Sequence, residues 1–279
     1  MAIRSRLLAS GAGWSASDVI CVSGPHDRPF EEQHGAVSVS LVLGGTFQYR
    51  NGAGSALLAP GAVLLGNCGA SYECGHDHGL GDRCLAFHFD PELFERIVAE
   101  TPGVRRSTFA LPHLPPHPAL VPLIAQAEAA RDDEDAWALE EAALTVARTV
   151  LESLDNASRS SRRIRPDEER RVSAALRRIE SSAAEPLSLA HLASEAHMSA
   201  FHYLRVFRRV AGITPHQFVL SRRLHHAALR LRRSHESISQ IAFDAGFGDL
   251  STFDRRFRRV MGVAPRDFRA LRAKNVSEK

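Results

Sequence analysis

Residues 187–218 read LSLAHLASEAHMSAFHYLRVFRRVAGITPHQF, and residues 236–268 read ESISQIAFDAGFGDLSTFDRRFRRVMGVAPRDF. The two segments are copies of one unit. Phe207-Arg208-Arg209-Val210 falls on Phe257-Arg258-Arg259-Val260, Gly212 on Gly262 and Ile213-Thr214-Pro215 on Val263-Ala264-Pro265. From Ser199/Asp249 to Phe218/Phe268 the offset runs without a gap. Self-similarity at a fixed offset marks a supersecondary unit used twice. In the first copy Ser188 caps a helix whose Leu189, Leu192, Ala193 and Ala196 form one apolar stripe. His197-Met198-Ser199 turns the chain, and a second helix buries Tyr203, Val206, Phe207 and Val210 until Gly212 ends it. In the second copy Ser237 caps, Ile238, Ile241, Ala242 and Ala245 pack, and Gly246 turns. Phe253, Phe257 and Val260 then pack, and Gly262 ends the helix. Each copy is thus a helix, a tight turn and a second helix whose outer face carries mainly Arg, His, Ser, Thr and Asp.

These segments, with the RRL that lies between them, resemble the DNA-binding region of the AraC/XylS family of transcription regulators. The resemblance covers about a hundred residues and rests on LSLAHLA, MSAFHYLRVFRR, GITPHQF and IAFDAGFGDLSTFDRRFRRVMGVAPRDFR. It implies an effector-responsive, sequence-specific regulator that reads two adjacent major-groove segments of double-stranded DNA. It also implies an N-terminal cupin-like barrel that takes a small-molecule effector, a homodimer in a bacterial cytoplasm, and contact with RNA polymerase if the protein activates.

The charge distribution agrees with that division. Residues 1–155 hold 10 Arg, no Lys and 20 acidic residues, a net −10, whereas residues 156–279 hold 25 basic and 12 acidic residues, a net +13. A basic half suits polyphosphate and an acidic half does not. No apolar run approaches the ~20 residues of a membrane span, and Leu7-Leu8-Ala9 is too short for a signal-peptide core. The four cysteines are not expected to form disulfides in a reducing compartment.

The expected fold class is α+β: a small N-terminal β-barrel with helices over residues 1–155, a linker over 156–166, and an all-α region over 167–279. The helix-turn-helix units are placed at about 189–210 and 238–260. Residues 17–90 read as short strands. Val37, Val39, Leu41 and Leu43 alternate with smaller residues, Phe47 and Tyr49 alternate next, and Asn51-Gly52 and Pro60-Gly61 turn the chain. Asp90-Pro91 opens a helix, and a four-proline connector spans 110–118. Helices follow over about 119–130 and 134–155. The apolar face of the latter, Leu139, Ala143, Val146 and Val150, suits either packing onto the barrel or a two-fold seam against a second chain. A helix over about 167–182 opens the basic half, and Pro215 starts a long strut to about Arg233 that sets the spacing of the two recognition helices.

For base reading the face near the start of the first recognition helix offers Phe201, Leu204 and Arg205; that of the second offers Leu250, Ser251, Asp254 and Arg255. Guanidinium matches guanine O6/N7, apolar groups meet thymine methyls, and Asp accepts from cytosine N4. Phe201 and Leu204 suit core packing as well, and Asp254 suits orienting Arg255. His202, Arg208, Arg209, Thr252, Arg258 and Arg259 suit phosphates, which give affinity without sequence information.

A second constellation gathers Cys68, Cys74, His76, His78, Cys84 and His88 within twenty-one residues. Cys and His suit zinc, copper or nickel. Its spacing matches neither C-x-x-C nor an intact cupin ligand set. It is read either as an effector or metal site, which would make the chain a metal- or thiol-sensing regulator, or as a polar loop with small buried thiols. A third reading is an enzyme fused to a DNA-binding module. No catalytic residue is assigned, the chain is not expected to be an enzyme, and no cofactor is expected beyond a metal at this loop.

Overall fold

The computed structural model describes residues 3–24, 27, 29–76, 81–157 and 165–270. The alternating segments form strands β1 (Ile3–Gly11), β2 (Trp14–Cys21), β3 (Phe30–Gln33), β4 (Val37–Gly45), β5 (Phe47–Asn51), β6 (Gly54–Leu58), β7 (Val63–Gly66), β8 (Ser71–Gly75) and β9 (Asp82–Phe89). Helix α1 (Pro91–Glu100), strand β10 (His113–Leu114) and helices α2 (Leu120–Asp132) and α3 (Ala136–Ala157) follow. The basic half is helical: α4 (Pro166–Ser182), α5 (Leu189–Glu195), α6 (Ala200–Ala211), α7 (Pro215–Arg233), α8 (Ile238–Asp244) and α9 (Leu250–Met261).

The strands make a six-stranded sheet in the order β1-β2-β9-β4-β7-β10 and a four-stranded sheet in the order β3-β8-β5-β6. The chain is therefore sheet-rich first and helical second, as read from the sequence, but the strands do not close into the expected barrel. The period-2 residues Val37, Val39 and Leu41 do face one core, with Leu85, Phe87 and Phe89 opposite them across the β4/β9 ladder. Strand β1 was not anticipated. Most of its residues are exposed, and it carries Arg4 and Arg6, so it lacks the alternation that reveals a half-buried strand. Such charge also suits an edge strand, which must not invite further pairing.

Helix α1 starts where Asp90 accepts a hydrogen bond from the Leu93 amide (2.7 Å) and Pro91 occupies the first turn. Helix α3 settles the two alternatives left by its apolar face. Leu139, Ala143, Val146 and Val150 are all buried in one core with the six-stranded sheet, so they are not a seam between chains.

The basic half is joined to the acidic half by more than the linker, of which residues 158–164 lie outside the described residues. Leu57 and Ala59, at and just beyond the end of β6, share a core with α4, α5 and α6. Val121 and Ala125 of α2 share a core with α7, α8 and α9. Along the α2/α7 contact, Glu128 meets His225 at 2.6 Å and Arg233 pairs with Asp132. Burial holds the His225 imidazole below its ordinary pKa, and Arg222 acts in the same direction. Burial opposes ionisation of Glu128, yet the hydrogen bond to His225 and the charges of His225, Arg131 and Arg222 bring its carboxyl below the usual range.

Candidate nucleic-acid interface

The two recognition helices are built from the same local rules. Ser199 caps α6 by accepting from the His202 amide at 3.3 Å, and Asp249 caps α9 by accepting from the Thr252 amide at 2.7 Å. Gly212 and Gly262 end them, both at φ 77°, where a side chain would be strained. Between α8 and α9 the left-handed residue is Gly246, whose Cβ, if it had one, would collide with the Ala184 carbonyl. The inner faces bury Tyr203, Val206, Phe207 and Val210 in one copy, and Phe253, Phe257 and Met261 in the other, with Val260 partly covered.

Of the seven residues expected to read bases, five are exposed and two, Leu204 and Asp254, are half-buried. Phe201 is 77% exposed and Leu250 42% exposed, while Arg205, Ser251 and Arg255 are exposed. The core-packing alternative for Phe201 is thereby removed; Leu204 is half-buried. His202 faces Arg205, Nδ1 to Nη2, at 3.3 Å. Asp254 accepts from Arg258 at 3.2 Å, one turn on, so it orients Arg258 rather than Arg255. Arg208, Arg258 and Arg259 are exposed. Arg209 is not free in the same way: it is paired with Glu168 of α4 and only partly exposed. Its periodicity placed it on the basic face, but the helix that closes over that face was not visible from periodicity.

Between the two units lies a cleft of about 540 Å³, lined in part by Leu189, Leu204, His216, Arg223, Thr252 and Arg256. Three of these were not singled out from the sequence. Arg223 donates to the carbonyls of Ala183 (2.5 Å), Gly246 (2.6 Å) and Glu185 (2.8 Å), so it ties the turn of the second unit to the end of α4. His216 and Arg256 add donors to the cleft wall. The internal repeat was a signal for His216, since it sits one residue after the Pro215 that starts α7 and corresponds to Arg266.

The Cys/His constellation is divided by the fold. Cys68 is exposed and donates to the Gly35 carbonyl at 3.6 Å. His88 meets Ser38 at 3.0 Å, and burial lowers its pKa. Cys74 and Cys84 lie on β8 and β9; burial, with Asp82 nearby, pushes both thiols well above their ordinary range. His78 lies outside the described residues. His76 is buried against Asp82 at 2.6 Å. Cys21 and Asp82, which the sequence reading passed over because they lie outside the Cys/His run or are carboxylates, are brought to His76 by the pairing of β2 with β9.

Comparison with known proteins places this geometry. A family described as a helix-turn-helix domain matches residues 192–271. The regulatory protein SoxS of Salmonella typhimurium is 35% identical over 85 residues, which are 30% of this chain and 79% of SoxS. The probable transcriptional regulator LumQ of Photobacterium leiognathi is 36% identical over 87 residues, 31% of this chain but only 35% of LumQ, so the chain spans about a third of that relative. Among solved structures, the DNA-binding domain of AdpA in complex with a target DNA is 28% identical, covering 37% of this chain and 94% of that one with a TM-score of 0.36. No helix among the described residues is long and apolar enough to cross a membrane. With two capped helix-turn-helix units on one strut, and with most of SoxS matched at 35% identity, the chain belongs to the AraC/XylS family of transcription regulators.

Proposed function

We propose that this protein regulates transcription by laying α6 and α9 into two successive major-groove segments of double-stranded DNA. The observation that carries the reading is the split of each recognition helix: the aromatic side chains of the inner face are buried, while Phe201, Arg205, Leu250, Ser251 and Arg255 are exposed in the N-terminal half. A helix-turn-helix reads bases from that end of its second helix. The strut α7 sets the two helices about one DNA turn apart, ~34 Å. Arg208, Arg258 and Arg259 supply phosphate contacts, with His202 and Thr252 beside them.

The acidic, sheet-rich half serves as a cupin-like effector domain for a small molecule, and the α2/α7 contact is the route by which it acts on the reader. The protein works as a cytoplasmic homodimer, since paired half-sites multiply affinity through effective concentration. Because Val146 and Val150 are internal, the contact between copies lies elsewhere; the exposed Trp137 and Leu144 of α3 are the apolar groups available there. An activating form contacts RNA polymerase. No catalytic role is assigned.

Footprinting of the upstream region with the full chain tests this reading. Two protected segments about one turn apart are expected. Arg205→Ala and Arg255→Ala should each relax one base pair and cost about 1–3 kcal/mol on the cognate site. Equal losses on cognate and random DNA would remove the base-reading role.

A further inference from the structure

Cys21 ends β2, Asp82 begins β9, and the two are register partners across the sheet. His76 follows directly after β8 of the other sheet. One ligand atom from each of the three lies within 4.8 Å of the others. Cys21 and His76 are buried, and the Asp82 carboxylate is nearly so, with 8% of its side chain exposed. Cys84 points its Sγ at Asp82 Oδ1, 3.6 Å away. The ring of His76 stacks on the buried Phe47 at 5.9 Å between centroids. Two glycines make the close approach feasible: a Cβ on Gly45 would strike Gly81 and Asp82, and a Cβ on Gly81 would strike the Cys21 carbonyl.

We infer that Cys21, His76 and Asp82 form a binding site for a divalent cation of the zinc class that clamps the two sheets together. The donor set decides the class. Sulfur and imidazole suit zinc, cobalt or nickel, whereas calcium and magnesium call for oxygen alone. Zinc takes four such ligands at about 2.0–2.3 Å, so a tetrahedral site needs ligand atoms about 3.5 Å apart. Small movements at the ends of three strands reach that spacing from the present one. A thiolate and a carboxylate also match the charge of a divalent ion, which relieves the burial of Asp82. Three protein ligands leave the fourth position of a tetrahedral ion to water or another small group. The ligand set differs from the one the sequence suggested: His76 stays, Cys21 and Asp82 enter it, and Cys68, Cys74, Cys84 and His88 leave it.

The inference is independent of DNA reading and is tested by metal alone. The full-length chain, stripped of metal, is titrated with Co²⁺ and its absorption recorded. One equivalent per chain with a thiolate-to-cobalt charge-transfer band is expected, displaced by Zn²⁺. Cys21→Ala should remove most of the band, and His76→Gln should weaken binding about 10-fold or more. Cys68→Ser, at an exposed thiol away from the cluster, should leave both unchanged. The titration of the unaltered chain decides even if the Cys21 and His76 variants fail to fold. Absence of saturable Co²⁺ binding, a band lost in Cys68→Ser, or folded Cys21→Ala that binds as before would each overturn the site.

Discussion

The two helix-turn-helix units share a skeleton and differ in everything around it. Tyr203 and Phe207 correspond to Phe253 and Phe257, each fully buried, and both recognition helices end on a glycine at the same φ. Outside, the first unit presents Phe201 and Arg205, and the second Leu250, Ser251 and Arg255. Inside, the first rests on α4, the start of α7 and the end of β6, whereas the second rests on α2 and the later turns of α7. Packing physics therefore constrains the repeat, while the outer face and the neighbours are free to diverge.

The largest effects should follow from the shared skeleton. Phe207→Ala and Phe257→Ala should each destabilise the chain by about 3–5 kcal/mol, since both leave a cavity among fully buried neighbours. Denaturant melts of both variants check this. A loss confined to one copy would show that the units are not energetic equivalents.

Next comes the contact that only the second unit shares with α2. Glu128→Ala leaves His225 buried without its carboxylate, while Arg131 keeps Asp132, and should cost about 1–3 kcal/mol. Thermal melting of the full chain reads this out. An unchanged melting temperature would mean that the two halves are not coupled through α2 and α7.

Arg209 and Arg259 occupy the same place in the repeat, yet only Arg209 meets a buried carboxylate. Arg209→Ala should cost about 1–2 kcal/mol of stability, whereas Arg259→Ala should stay within about 0.5 kcal/mol and lower only the salt dependence of DNA binding. Urea titrations beside binding isotherms at two salt concentrations separate the two effects. Equal stabilities would dissolve the distinction.

The smallest effect concerns acid. Burial lowers His34 and His113, both in the sheet-rich half, to about 4 from an ordinary 6.5. A histidine whose folded pKa is depressed binds fewer protons folded than unfolded. Its contribution is therefore complete above about pH 6.5 and is lost as the pH falls towards 4. Each should remove on the order of 1 kcal/mol by pH 5. His226 in the helical half is also lowered to about 4, chiefly by burial, but 42% of its side chain is exposed, so solvent screens it. Melts between pH 7.5 and 5, followed separately in Trp14 fluorescence with Trp137→Phe and in helical circular dichroism, should show the sheet-rich half yielding first. A helical half that melts earlier would reverse the comparison.

The helical half was readable almost residue by residue. Caps at Ser188, Ser199 and Ser237, stops at Gly212 and Gly262, and the 3.6-residue spacing of buried positions are all local, so a linear chain displays them. The helices α2 to α4 fell within about two residues of their expected ends, and α1 began at the expected Pro91. The sheet-rich half was readable only where one face is buried. Strand β1, with little buried surface, left no period, and open sheets rather than a barrel came from strand order, which short alternating segments do not encode.

By itself the sequence determined the repeat, the family, the charge division and the exposure of Phe201, Arg205 and Arg255, because each depends on neighbours within a turn or on a fixed offset. Tertiary structure alone decided that Val146 and Val150 face inward, that Arg209 is held by Glu168, that α2 docks on α7, and that Cys21, His76 and Asp82 converge. Those pairings join residues from six to more than a hundred positions apart, and only the register of strands and the packing of helices brings such residues within a few ångströms of one another.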